Sequence, residues 1–169
     1  MSVLYFIIQQ TMYFAIPLLI VAIGAMYSER SGVINIALEG IMVMGAFVGI
    51  FFINIFQESI SGQLLLVLAV LIAGVVGGIF SLLHAFASVN MKADQTISGT
   101  ALNMFAPAFA IYVARMIQGS QQIPFTDTFY IEKVPVLGSI PLIGPMLFQN
   151  CYITTFIGIG IFLVAAFAS

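Results

Sequence analysis

Four polar side chains in apolar surroundings have the chemistry to meet a hydrophilic solute. They are Asn35 and Glu39, in the stretch SERSGVINIALEGIMVMGAF (28–47), and Thr100 and Asn103, in a later run. Amides, hydroxyls and carboxylates offer hydrogen bonds that leucine cannot. Counted as helix from residue 35, Asn35 and Glu39 stand one turn apart and project from one face. A charged side chain inside lipid costs about 2.5–3.5 kcal/mol on insertion scales, and such residues face a bundle interior or a wet cavity. Glu39 therefore reads as a polar wall of a translocation path or, near an interface, as a cap on the neighbouring loop. The residues alone leave both open. Gly32 and Gly40 bracket the pair and permit a broken or re-entrant segment near 28–45.

The later run repeats the theme. Thr96, Thr100, Asn103 and Pro107 fall at i, i+4, i+7 and i+11, one stripe at the helical period. Pro107 has no N–H, so it frees the carbonyl of Asn103, and Pro17 does the same for Tyr13. An amide and a freed carbonyl at one level serve a ligand or a neighbouring helix; bonding between helices is the commoner use of such groups. Pro17 reads as a kink. Gly45 and Gly49 form one GxxxG pair and Gly74 and Gly78 another, the spacing at which membrane helices touch closely.

Several chemistries are excluded. His84 is the sole histidine and has no ligand cluster beside it, so packing or hydrogen bonding is favoured over a metal site or proton relay. No GxxxxGK[ST] loop cradles a phosphate, and no nucleophile–base pair is visible. An intramembrane hydrolase needs clustered acids or histidines, and the chain has only six acids and that one histidine. Cys151 is the only cysteine and allows no intrachain disulfide.

The elements that must position these residues are membrane helices. Of the 169 residues, 62% are apolar and 6% charged, with mean hydropathy +1.19. A soluble domain carries roughly 25% charged residues, so this chain faces lipid. A bilayer core about 30 Å thick takes roughly 20 helical residues. Five runs qualify, at about 4–27, 35–56, 64–89, 96–117 and from Tyr152 onward, which predicts an all-α, polytopic transmembrane helix bundle in one domain over 1–169. Asp94 is placed to cap the fourth helix. Residues 118–150 carry Pro124, Pro135, Pro141 and Pro145, which forbid one continuous helix and predict a structured loop with short helical or extended pieces. The last run is still apolar at residue 169, so the native polypeptide is expected to continue. Arg30 and Lys92 fall on one side of five alternating spans, Arg115 and Lys133 on the other, a tie that leaves orientation open.

Three stretches carry a resemblance: YSERSGVINIALEGIMVMGAF around Gly32–Gly40, NMKADQTISGTALNMFA (90–106), and the loop IPFTD…VPVLGSIPLIGPMLF (123–148). They are similar to permease subunits of bacterial ABC importers of the simple-sugar and branched-chain amino acid type, most of all the nucleoside permeases. The resemblance implies a transport subunit of the plasma membrane that is not an enzyme, pairs with a second permease subunit, and binds cytoplasmic ATPase subunits. It also implies an extracytoplasmic substrate-binding lipoprotein, ATP on the ATPase alone, and no cofactor in this chain. Family chains are roughly twice this length, and the segment that docks on the ATPase lies in their later half, without a counterpart here. Loops 28–34 and 90–95 are expected in the cytoplasm and the proline-rich loop outside. Nucleosides are the expected solute, with a simple-sugar permease next and a stand-alone channel or structural membrane protein as the other class.

Overall fold

The computed structural model describes residues 2–60, 62–126, 129–133 and 149–168. The elements run α1 (Ser2–Arg30), α2 (Leu38–Phe56), α3 (Gln63–Val89), α4 (Gln95–Gln118), β1 (Tyr130–Lys133), β2 (Gln149–Tyr152) and α5 (Ile153–Ala168). The first four helices are long and apolar enough to cross a membrane. The fifth expected span is described over 16 residues, about 24 Å at 1.5 Å per residue. Pro17 and Pro107 sit within α1 and α4 and end neither. β1 and β2 pair antiparallel, with Ile131 opposite Cys151. These are extended pieces expected of the 118–150 loop; Pro135, Pro141 and Pro145 lie outside the described residues.

The chain forms two compact units, Met1–Met26 with Phe129–Ser169, and Tyr27–Thr128. In the first, Ile16 packs at Gly158, and the rings of Tyr13 and Tyr152 meet edge-on at 5.3 Å.

The second unit holds the candidate residues. Its core joins Met44 of α2, Phe80 of α3 and Ala106 of α4. A Cβ on Gly45 would stand 2.9 Å from the carbonyl oxygen of Ala73, and one on Gly49 3.2 Å from the Ala73 Cβ, so this pair lets α2 lie directly on α3. Gly74 and Gly78 differ from their expectation. Among the described residues nothing lies within 4 Å of either Cβ position, and Gly77 meets Ile41 of α2 instead. The buried line of α3 runs through Leu65, Ala69, Gly77, Phe80 and His84. Each GxxxG glycine of α3 is one residue past a position on or beside that line, which turns it away by about 100°.

Candidate functional site: a broken segment held by side chains

α1 ends in a short tether. Ser31 N–H donates to the carbonyls of Tyr27 and Ser28, and Gly32 stands at φ +87°, a left-handed conformation that glycine adopts without strain. The Ser28 hydroxyl donates to Val33 O at 2.7 Å. Regular helix does not resume until Leu38.

Backbone that leaves the helix needs other partners for its polar groups, from protein or water. Here three side chains do so. Ile34 N–H donates to the Gln95 side-chain oxygen at 2.8 Å. His84, only 2% exposed, stands with Nε2 3.3 Å from Ile34 O and Nδ1 3.0 Å from the Ser98 hydroxyl. A carbonyl only accepts, so Nε2 carries the proton and Nδ1 accepts from Ser98 in the neutral ring. Asn103 makes two bonds: its NH2 donates to Ile36 O at 2.8 Å, and its oxygen accepts from Gly40 N–H at 2.7 Å. Gly40 is the third residue of α2, so its N–H is one of the donors a helix start leaves without a partner. Asn103 supplies from α4 the cap that Ala37, at the N-cap, cannot supply itself.

Two glycines bring the backbones close enough. A Cβ on Gly40 would lie 2.7 Å from Leu102 O, and one on Gly99 2.8 Å from the Ile36 Cβ. At the start of α4, Asp94 Oδ1 accepts from the N–H groups of Thr96 (2.8 Å) and Ile97 (3.1 Å), the cap its position implied.

The expected residues therefore separate. Asn35 and Glu39 do not share a helical face, because α2 begins at Leu38. Asn35 instead closes a turn, its side-chain oxygen accepting from Ala37 N–H at 3.1 Å. Hydropathy carries Ile36 and Ala37 into the helix, but hydrogen bonds from α3 and α4 hold them out of it. Glu39 is exposed in the first turn of α2, where a negative charge complements the helix dipole. Thr96 and Thr100 are exposed on α4, so of that polar stripe Asn103 alone reaches the break. Gln95 and Ser98 carried no sequence signal of this role. Of packing and hydrogen bonding, the two uses the sequence favours for His84, the ring makes both, buried and with partners 14 and 50 residues away.

Two cavities lie elsewhere. One of about 440 Å³ sits between α2, α4 and the turn after α4. Another of about 220 Å³, in the first unit, is lined by Tyr13, Pro17, Tyr152 and Thr155 among others. Neither is lined by Asn35, Glu39, Thr100 or Asn103. Among the described residues no group of three His, Cys, Asp or Glu is placed to hold a metal. Cys151, outside the membrane helices, is buried, and burial pushes its thiol up and keeps it protonated.

Comparison with known proteins settles the family. The model of the branched-chain amino acid transport system permease component matches residues 7–168. The chain belongs to this permease family. Among its relatives, the guanosine ABC transporter permease protein NupQ of Bacillus subtilis is 38% identical over 167 residues, covering 98% of this chain and 52% of the relative. The nucleoside ABC transporter permease protein NupC of Lactococcus lactis is 34% identical over 164 residues, 97% of this chain and 51% of the relative. The putative glucose ABC transporter permease protein TsgC13 of Haloferax volcanii is 29% identical, over 85% of this chain and 42% of the relative. No solved structure matches. The permease chain thus spans about half the length of the curated relatives it matches. It is a multi-pass protein of the plasma membrane, and the family is one of transport components rather than enzymes.

Proposed function

We propose that this chain is part of the permease subunit of an ATP-driven nucleoside importer and forms a portion of the solute path. The observation that carries the reading is the likeness to the guanosine permease along 98% of the chain, at higher identity than to the putative glucose permease. In this reading a second permease subunit completes the pore. ATP is bound and hydrolysed on separate cytoplasmic ATPase subunits, and an extracytoplasmic lipoprotein delivers the nucleoside. Loops 28–34 and 90–95 then face the cytoplasm.

The polar residues divide their labour. Asn35 and Asn103 act on the backbone of the break, Gly32 supplies its left-handed turn and Gly40 the room for Leu102. Glu39 and Thr100, exposed and without a hydrogen-bond partner among the described residues, are the groups left to face the solute. The test is uptake of radiolabelled guanosine by cells expressing the full-length permease with its ATPase and lipoprotein, ribose serving as the competing solute class. Guanosine accumulation that depends on all three components supports the reading; ribose accumulation alone replaces it. Glu39→Ala is expected to reduce guanosine uptake several-fold while the complex still assembles, and unchanged uptake removes Glu39 from the path.

A further inference from the structure

At the end of α2 and α4 away from the break, the chain builds a roof. Gly119, at φ +70°, ends α4 in the left-handed conformation and turns the chain back. The apolar tip Ile123-Pro124-Phe125 is then tied to the last turn of α2. Asn54 donates to Pro124 O at 2.6 Å, Gln118 donates to the Asn54 side-chain oxygen at 2.9 Å, and the Gln57 side-chain oxygen accepts from Thr126 N–H at 3.1 Å. Beneath the tip lies the 440 Å³ cavity, walled by Phe47 and Ile50 of α2 and by Ala110, Ile111 and Ala114 of α4. Gln121 and Gln122 stand at its polar edge. The volume falls within the roughly 300–1,000 Å³ of small-molecule sites, and mostly apolar walls with a few polar groups are their usual lining.

The chemistry of the lining selects the ligand. Two phenyl rings and a proline ring line it, apolar rings of the kind on which a planar heterocycle stacks. With the Gln121 amide turned so that its oxygen meets the guanidinium of Arg115, its NH2 is left as a donor. The Gln122 side chain has no hydrogen-bond partner among the described residues and offers both a donor and an acceptor, the combination a base edge requires. Among the described residues the lining has amides but no carboxylate or hydroxyl, a set better matched to a base edge than to a bare sugar ring. We propose that this roofed cavity is a binding site for the base of a purine nucleoside, with the ribose left toward the open side. The proposal rests on the nucleoside reading above and sharpens it, because it assigns recognition to the base.

The chain has no tryptophan, so Phe125→Trp places a fluorescent reporter at the mouth. Phe125 is 46% exposed, which leaves room for the larger ring. The full-length permease carrying this change, purified with its partner subunits in lipid nanodiscs, is titrated with guanosine, guanine and ribose. The change in its fluorescence is measured against the complex lacking the substitution. Saturable quenching by guanosine and guanine but not ribose is expected, with the half-saturating guanosine concentration rising roughly tenfold when Gln122→Ala or Ala110→Phe is added. No reporter-specific quenching by guanosine overturns the proposal, as does equal quenching by ribose or an affinity indifferent to both added variants. Those results assign the cavity to lipid or to other segments of the complex. Quenching without any guanosine uptake keeps the site and overturns the importer reading; uptake without quenching does the reverse.

Discussion

The two ends of the α2–α4 pair use polar side chains in opposite ways. At the break, Gln95, His84 and Asn103 are spent on backbone groups of Ile34, Ile36 and Gly40, and two glycines draw the chains into contact. At the turn, Asn54, Gln57 and Gln118 hold a loop at a distance, and the space beneath it stays open. The lesson concerns what a hydrophilic residue in an apolar chain is for. In lipid, non-helical backbone needs partners first, and a side chain committed to it has little left for a solute. A polar residue next to a break is therefore a weaker sign of a binding wall than one beside a roofed cavity.

The largest expected effect is steric. Gly40→Val sets side-chain carbons against the Leu102 carbonyl, whose backbone cannot yield as a flexible side chain can. Overpacking of this kind costs about 1–3 kcal/mol, and the detergent-solubilised protein should lose tens of per cent of its folded fraction on size exclusion after mild heating. A fully stable variant would break the contrast at its tight end. Next comes Asn103→Leu, of similar size, which strands the Gly40 N–H and the Ile36 carbonyl. Gly40 is buried while Ile36 is exposed, so the unpaired Gly40 N–H carries most of the cost, about 1–3 kcal/mol, and thermal melting should fall accordingly. Asn103→Asp keeps the acceptor for Gly40 but loses the donor to Ile36, so its melting temperature should lie between those of the unsubstituted protein and Asn103→Leu. Asn54→Ala, at the turn, releases Pro124 O and Gln118, and faster hydrogen exchange should be confined to 119–126. Its global cost should be about 1–2 kcal/mol, as for two ordinary hydrogen bonds. The smallest effect belongs to Gly74→Ala, which meets empty space and should stay within about 0.5 kcal/mol in this chain. A large loss there would show that another segment of the assembled permease lies on that face.

Local physics was legible in the sequence and distant pairing was not. Composition marks the helices because a 30 Å apolar slab imposes their length, and the third and fourth runs match α3 and α4 to within a residue at each end. The Asp94 cap was readable because its partners are two and three residues on. The start of α2 was misplaced by three residues, since what holds Ile34–Ala37 out of helix is His84, Gln95 and Asn103, 50 to 67 residues downstream. The two GxxxG pairs look alike as patterns; only the packed arrangement puts Gly45 and Gly49 on Ala73 and leaves Gly74 and Gly78 facing nothing. The cavity had no signature at all, because Phe47 and Phe125 meet its space through a fold-back that starts at Gly119.

The 67 residues between Ile36 and Asn103 also impose an order on biosynthesis. At a ribosomal pace of about 5–20 residues per second, roughly 3–13 s separate their emergence. The α1–α2 connection leaves the ribosome while the amide that will complete it is still untranslated. Until α4 arrives, those peptide groups need water or the insertion machinery as a temporary partner, so the connection takes its final form only when its downstream neighbours are in place.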